Sequence, residues 1–293
     1  MAVPEQSAHM YEDLLRSAQR LSFDLRGTDA DDVVEDRYGM TPEWSPIFGT
    51  PTWTRMPEAV RRELTRGEAA HFLSVAIWLE VALQIVLLRR NHSADPTRPD
   101  VKFLFNECAD ENLHSLMFAD AIHRLGVTRY PLDRSLIVTG WLFRNFAWDE
   151  IAYAIVLAGE EIFDVMQRDW MADDRVAETV RRTSYVHVVE ESRHMAFARQ
   201  RIRDTLARAS RPRRYLSAVL IAVGAHLIAK GLINRRIYRG LGLEWRSVSA
   251  EIGRNEHHRM MFRRAAAPLV AFLDEEDLLN GFARWIYRKS NLL

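Results

Sequence analysis

The sequence of 293 residues contains a single cysteine, Cys108, and therefore can form no internal disulfide and no cysteine-based zinc site. A reducing cytoplasm is the simplest location for such a chain. The sequence also lacks an excess of either charge, because 40 Lys and Arg residues balance 40 Asp and Glu residues. No global field therefore directs the chain towards nucleic acid or an anionic membrane.

Cofactor-binding and membrane-spanning motifs are absent or weak. The sequence has no Gly-x-Gly-x-x-Gly motif, so we predict no flavin or nicotinamide bound by the chain itself. Its longest apolar window, residues 215–232, includes a serine, a histidine and a lysine, and is barely long enough to span a bilayer. This window favours a core helix, and no membrane partner is predicted. The Arg-rich stretch 201–214 contains no aromatic stacking residue, so no nucleic-acid partner is predicted either.

Helix-forming residues dominate, and long stretches without proline predict helices. No run of alternating polar and apolar residues indicates a strand. The segment Ala30–Pro57 is predicted to be a loop, and Pro268 is predicted to end a helix. The predicted helices are Ala8–Asp24, Glu68–Arg90, Val101–Leu125, Arg134–Asn145, Trp148–Ala172, Arg175–Ala209, Tyr215–Arg239, Ser247–Ala267 and Glu275–Lys289.

These helices predict an all-α protein with a single domain over residues 1–293. Residues 1–66 supply an N-terminal helix and a segment rich in tryptophan and proline. Residues 67–209 are predicted to form a four-helix bundle with a crossover, and residues 210–293 to add C-terminal helices. The absence of a Gly/Ser-rich linker favours one domain over two.

Two Glu-x-x-His motifs, Glu111 to His114 and Glu191 to His194, carry the candidate chemistry. Residues three apart on a helix lie on one face, so a carboxylate and an imidazole can reach a common point. Each motif alone is weak, because this spacing also arises by chance. Together they indicate two half-sites for metal.

The spacing around these motifs is more specific. The separation along the chain from Glu80 to Glu111 is identical to that from Glu160 to Glu191. Two helix hairpins with equal ligand sets would converge in a bundle core, as in di-iron and di-manganese carboxylate proteins. Glu80 interrupts an otherwise apolar run, where a carboxylate without a cation is costly. The competing interpretation places Glu80 at a water-filled gap or against an arginine.

Two pairs of adjacent glutamates require a choice. Of Glu160 and Glu161, only Glu160 keeps the repeated spacing to the motif glutamate, and we predict it as the ligand. Of Glu190 and Glu191, only Glu191 lies three residues before His194. Glu190 is then either solvated or a neighbour that contacts a ligand.

One position breaks the symmetry of the two hairpins. His187 lies one helical turn before Glu191, on the same stripe as His194, and we predict it as a third histidine ligand. A histidine satisfied by core or surface contacts is the alternative. The matching residue of the first hairpin is Glu107, which is predicted to contact ligands or to face solvent more readily than to bind metal.

This order of motifs, ending in His-x-x-x-Glu-x-x-His, resembles the di-iron N-oxygenases typified by p-aminobenzoate N-oxygenase, of the ferritin-like superfamily. The resemblance covers residues 68–203. It implies a ferritin-like four-helix bundle, a homodimer and two iron ions (Fe2+/Fe3+), although manganese suits the same ligands. The implied ligands are Glu80, Glu111, His114, Glu160, His187, Glu191 and His194.

Residues around these ligands are also candidates for function. An aromatic and apolar wall would exclude water from the oxidant. Arg193 pairs with a nearby acid or lies at the surface, and His226 contacts either the backbone or the substrate. The candidate substrate contacts are Trp78, Phe103, Tyr153, Phe163 and His226. For the four aromatic residues among them, plain core packing is the alternative.

The resemblance implies a monooxygenase that activates O2 and oxidises an amine, with an aryl amine favoured, towards hydroxylamine, nitroso or nitro products in natural-product biosynthesis. Electrons would come from an external donor or reductase. The alternatives are C–H hydroxylation or desaturation, and a ferritin-like protein that stores iron or scavenges peroxide. A helical scaffold without metal would leave the matched polar residues unexplained.

Overall fold

The computed structural model describes residues 5–20 and 36–293 of the chain. These residues form helices and no strand, apart from one isolated bridge between Tyr38 and Val176. The predicted all-α fold class is therefore confirmed. The helices are α1 Glu5–Arg20, α2 Pro51–Arg55, α3 Glu58–Asn91, α4 Pro99–Arg124, α5 Arg134–Phe146, α6 Asp149–Ala172, α7 Glu178–Leu206, α8 Arg211–Gly231, α9 Arg235–Gly240, α10 Trp245–Arg254, α11 Glu256–Glu275 and α12 Gly281–Lys289.

The first part of the chain is more helical than predicted. The predicted loop 30–57 contains a 3-10 turn at Pro42–Trp44 and the short helix α2, while residues 30–35 lie outside the described residues. Helix α3 begins earlier than predicted, at Glu58 rather than Glu68, directly after Pro57. Residues 21–24 of the first predicted helix also lie outside the described residues.

Pro268 does not end a helix, and this prediction was wrong. Helix α11 continues through Pro268 to Glu275. A proline inside a helix costs about 3 kcal/mol or more, because it removes a backbone hydrogen bond and crowds the preceding turn. The neighbours Ala265, Leu269 and Phe272 are buried in the main core, and the burial of this face offsets that cost.

Two other predicted helices are divided by asparagines. The predicted helix Tyr215–Arg239 stops at Gly231, and Asn234 caps α9 by accepting a hydrogen bond from the Arg236 amide. The predicted helix Ser247–Ala267 is split at Asn255, whose side chain donates to the carbonyl oxygens of Pro46 and Phe48. Asn234 thus pairs a backbone N–H group at the start of α9, whereas Asn255 ties the break between α10 and α11 to the segment before α2.

Four helices form the bundle that positions the site. Helix α3 packs on α4, α6 packs on α7, and the two hairpins meet through the pairs α3–α6 and α4–α7. Gly159 on α6 allows the close approach to α3, because a Cβ atom there would collide with the side chain of Leu79. This contact lies directly beside Glu160 and Glu80, so the small residue sets the distance between the two hairpins at the level of the site.

Two segments, Glu58–Asn91 and Arg211–Gly240, are long and apolar enough to cross a membrane by length and composition. The apolar window of the first is 67% buried within the fold, as expected for a core helix. Only 39% of the second window is buried. Helix α8 buries one face, with Ile221 and Ala225, and exposes Leu216 and Leu220 on the other.

Candidate metal centre

The bundle brings all seven predicted ligands together in its interior. Helix α3 supplies Glu80, α6 supplies Glu160, and the remaining residues come from the two Glu-x-x-His helices, α4 and α7. Each of these seven residues is at most 4% exposed. Glu107 joins them and is equally buried. The members are Glu80, Glu107, Glu111, His114, Glu160, His187, Glu191 and His194.

These eight residues form overlapping groups in which the potential ligand atoms lie within 4.8 Å of one another. Ligand atoms of one metal ion lie about 2 Å from it, so separations of up to about 4 Å between them are expected. Each group can therefore close around an ion with little movement. The groups are Glu80–His114–His187, Glu160–His187–Glu191, Glu111–His114–Glu191 and Glu107–Glu111–His194.

Each of the three imidazoles directs one nitrogen towards the carboxylates. His114 Nδ1 lies 3.4 Å from Glu111 Oε2 and 3.3 Å from Glu191 Oε1. His194 Nδ1 lies 3.0 Å from Glu191 Oε1 and 3.3 Å from Glu111 Oε1. His187 uses its other nitrogen, Nε2, which lies 3.7 Å from Glu191 Oε1. The two motif histidines thus share one orientation, and the additional histidine differs from them.

The remote nitrogens of the motif histidines are held across the bundle. His114 Nε2 donates to Glu190 Oε2 at 2.7 Å, and His194 Nε2 lies 3.4 Å from Asp110 Oδ2. Each acid is the residue directly before the motif glutamate of the opposite hairpin. An acid at the remote nitrogen fixes the ring and leaves the other nitrogen free to bind metal. Glu190 therefore contacts a candidate ligand, one of its two predicted alternatives.

Asp110 and Gln167 were missed from the sequence. The acidic residue before Glu111 repeats the acidic residue before Glu191, and this signal could have identified Asp110. Gln167 accepts a hydrogen bond from His187 Nδ1 at 2.6 Å. It lies two turns after Glu160 on α6, and nothing in the sequence pattern distinguishes it.

Several buried polar atoms at the centre have no hydrogen-bond partner among the described residues. They are Glu80 Oε1, Glu107 Oε2, Glu160 Oε2, Glu191 Oε2 and His187 Nε2. Buried carboxylate oxygens without partners are costly unless a cation neutralises them. A set of carboxylate oxygens and imidazole nitrogens suits iron or manganese. The residues therefore fit the metal centre that the sequence pattern predicts.

The carboxylates do not share one electrostatic environment. Burial raises the pKa of Glu80 and Glu160 well above the ordinary value, and neighbouring carboxylates raise it further. Burial also acts to raise the pKa of Glu191, but contacts with His194 and His114 outweigh it and hold that pKa well below the ordinary value. Without a cation, these shifts favour the protonated form of Glu80 and Glu160 and the charged form of Glu191.

The imidazoles differ in the same way. Burial lowers the pKa of His187 to about 4, so its ring is neutral at pH 7. Burial also opposes protonation of His114 and His194, but hydrogen bonds and charges from the surrounding carboxylates raise their pKa values well above the ordinary one. Because metal ligands must be deprotonated, a cation entering this centre would displace protons from both residue types.

The structure separates the two adjacent glutamates of α6. Glu160 faces His187, with 3.7 Å between its Oε2 and the ring Nε2. Glu161 points away and forms an ion pair with Arg199. This geometry favours Glu160, as the repeated spacing of the two hairpins predicts.

The residues predicted to surround the ligands lie in different parts of the fold. Phe103 lies against His194, with ring centroids 6.2 Å apart, whereas Phe163 packs on Phe72 and Tyr153 on Phe197. Trp78 is partly buried against Gly140 of α5. His226 lies 2.8 Å from the hydroxyl of Ser290 near α12. Arg193 is buried and lies 3.7 Å from Asp110, and the surface alternative for it was wrong.

Phe118 is an aromatic neighbour that the sequence analysis missed. It is fully buried, and its ring centroid lies 4.9 Å from that of His187 and 6.4 Å from that of His114. It lies four residues after His114, on the same face of α4. Phe118 and Phe103 thus flank the centre on opposite sides of α4's Glu-x-x-His motif.

A helical bundle with carboxylates and histidines converging between two hairpins defines the class of ferritin-like di-metal carboxylate proteins. Residues 4–277 of the chain match the family described as P-aminobenzoate N-oxygenase AurF. The chain belongs to this family, which the sequence motifs predicted.

Curated proteins from mycobacteria are similar over part of the chain. An uncharacterized protein of Mycobacterium tuberculosis (strain CDC 1551 / Oshkosh) is 24% identical over 195 residues, which cover 66% of this chain and 57% of that protein. An uncharacterized protein of Mycobacterium bovis is 26% identical over 177 residues, 59% of this chain and 52% of that protein. The matched region spans about half the length of these relatives.

Proposed function

We propose that this chain is a non-haem di-iron monooxygenase that uses O2 to oxidise an amine, with an aryl amine as the favoured substrate. The observation that carries the proposal is the buried set of carboxylate and imidazole atoms without hydrogen-bond partners. Membership of the N-oxygenase family supports the reaction class. Glu80, Glu111, His114, Glu160, His187, Glu191 and His194 are the proposed ligands.

Two iron ions held by these residues would supply the redox chemistry of O2 reduction. In the first step, one oxygen atom of O2 enters the N–H bond of the amine to give a hydroxylamine, and the other is reduced to water. This balance requires two electrons and two protons from an external donor or reductase. Further steps of the same kind lead towards nitroso and nitro products.

The protein's own residues orient the ligands and keep the centre dry. Glu190, Asp110 and Gln167 fix the ring orientations of the three histidines, which makes one nitrogen of each available for binding. Ser115 donates a hydrogen bond of 2.6 Å to Glu80 Oε2 and so orients that carboxylate. Phe118 and Phe103 cover the imidazoles with apolar surface, which excludes water from a reactive oxidant.

A homodimer in the cytoplasm is the proposed assembly. Helices α5, α8 and α12 expose large apolar side chains, among them Val138, Trp141, Phe146, Leu216 and Trp285. Apolar surface of this kind marks interaction sites more often than free solvent-facing surface. Light scattering coupled to size exclusion should give twice the mass of one chain, and Trp141→Glu should reduce it. A monomeric wild-type protein at micromolar concentration contradicts the dimer.

The function is tested by loading the protein with Fe(II) under anaerobic conditions and mixing it rapidly with O2. Two irons per chain and an absorbing species that decays faster with p-aminobenzoate, giving an N-oxygenated product, support the proposal. Two irons with decay indifferent to amines indicate iron storage or another oxidation, and overturn the N-oxygenase assignment. The matched controls are Glu160→Gln, which should lose the reaction, and Glu161→Gln, which should keep it.

A further inference from the structure

Glu107 occupies the position on α4 that His187 occupies on α7, one helical turn before the motif glutamate. We propose that Glu107 is a direct ligand of the metal ion bound by Glu111 and His194, so that the centre has eight protein ligands. This inference rests on the proposed di-metal function. It makes the two ions chemically unequal, because one half-site gains a carboxylate and the other an imidazole.

Glu107 lies within bonding reach of an ion held by Glu111 and His194. A carboxylate oxygen of Glu107, one of Glu111 and a ring nitrogen of His194 all lie within 4.8 Å of one another. The three groups formed by the other ligands lie within the same limit. The Glu107 side chain is 2% exposed, so it cannot turn to solvent without leaving its helix face.

One oxygen of the Glu107 carboxylate has no other partner in the described part of the chain. Glu107 Oε2 is buried and has no hydrogen-bond partner there, as at Glu80, Glu160 and Glu191. Glu150 is a buried glutamate outside the centre in which both oxygens are paired. Its two oxygens accept hydrogen bonds from Arg213 at 2.7 and 2.8 Å and from Ser217 at 3.0 Å.

A role for Glu107 as a residue that only supports a ligand does not fit the contacts of the three histidines. The residues that contact the remote nitrogens of the three histidines are Glu190, Asp110 and Gln167. Those positions are therefore already filled. Glu107 instead lies among the ligand atoms themselves.

Cobalt(II) titration under anaerobic conditions tests the proposal without relying on turnover. The visible bands of Co(II) intensify when its coordination number falls, so they report the loss of a ligand. Wild type should bind two Co(II) per chain. Glu107→Gln, which keeps the shape but is a poor ligand, should weaken one of the two sites by more than about 100-fold, beyond the 10- to 100-fold effect of a supporting residue. Its bands should also intensify.

Two further variants make the result specific. Glu107→His should restore both the affinity and the band intensity, because an imidazole serves at the equivalent His187. Glu161→Gln, at a buried glutamate paired with Arg199, should behave as wild type.

The outcomes separate this proposal from the proposed function. Wild-type Co(II) affinity and bands in Glu107→Gln would overturn the ligand role alone, as would a weaker site with unchanged bands. A wild-type protein that binds fewer than two ions would overturn the di-metal function, and the Glu107 proposal with it.

Discussion

The α3–α4 hairpin and the α6–α7 hairpin present the same ligands at the same spacing, but they differ one turn before the Glu-x-x-His motif. The first carries Glu107 there and the second carries His187. Both side chains lie among the candidate ligand atoms. Under the proposed function, the duplicated motif builds the metal centre, and the one unequal position gives its two halves different charge and different donors.

The hairpins also support each other reciprocally. The acid before each motif glutamate contacts the histidine of the other hairpin, Glu190 with His114 and Asp110 with His194. The first contact is shorter, at 2.7 Å against 3.4 Å. Neither hairpin is complete alone, because each depends on its partner to fix a ring.

The largest effect on metal content is expected for the glutamates that the two hairpins carry at equivalent positions, Glu80 and Glu160. Glu80→Gln and Glu160→Gln should each reduce the metal content from two ions per chain to one or none, since each removes a carboxylate from a buried group. Inductively coupled plasma mass spectrometry after anaerobic iron loading measures this. Glu161→Gln is the control and should retain two ions; the reverse pattern would show that the choice between Glu160 and Glu161 is wrong.

The next largest effect is expected when His187 is removed, the histidine that has no counterpart in the α3–α4 hairpin. His187→Ala should weaken one metal site by more than about 100-fold, which exceeds the effect of losing a supporting contact. Its neutral ring is available as a ligand because burial lowers its pKa to about 4. An isothermal Fe(II) titration measures the affinity. Wild-type affinity together with an unchanged reaction with O2 would contradict a seventh ligand at this position.

Replacement of the two acids that contact the histidine of the opposite hairpin should have smaller and unequal effects on metal binding. Glu190→Gln and Asp110→Asn should each weaken metal binding by about 10- to 100-fold. We expect the larger loss for Glu190→Gln, because its contact with His114 is the shorter one. Competition with a fluorescent chelator measures both constants. Equal losses, or a larger loss for Asp110→Asn, would show that hydrogen-bond length does not rank these contacts.

These sites show how far the sequence could predict the structure. The equal spacing of glutamates in the two halves located the ligand cluster, because two hairpins of similar length place their ligands at one level of the bundle. Gln167 and Phe118 contact His187 through tertiary packing, and no local pattern marks them. The prediction at Pro268 was wrong because the burial of Leu269 and Phe272 outweighs the low helix propensity of proline.

The smallest effect is expected at Glu68, a buried carboxyl group outside the ligand set. Burial raises the pKa of Glu68 from 4.5 to about 7, although Tyr238 and Ser45 donate hydrogen bonds to it. At a pH between these two pKa values, the carboxyl group of Glu68 is deprotonated in the unfolded chain and protonated in the folded chain. The contribution of Glu68 to stability therefore falls as the pH rises through this range. The loss amounts to about 3 kcal/mol and is complete about one pH unit above the pKa of the folded state.

Glu68→Gln should remove this contribution without changing metal binding. Urea unfolding of the metal-free protein at pH 5 and pH 8 measures the free energy of unfolding. The difference between the two pH values should be smaller in the variant than in wild type. An identical difference in both proteins would mean that Glu68 titrates normally in the fold.

Mössbauer spectroscopy of the protein loaded anaerobically with 57Fe(II) reports directly whether the centre holds two unequal iron ions. Two hairpins that share ligand spacing but differ at Glu107 and His187 predict two irons per chain, seen as two distinct quadrupole doublets of equal area. A single doublet at two irons per chain would contradict the inequality of the half-sites. Fewer than two irons per chain would contradict the paired metal centre itself.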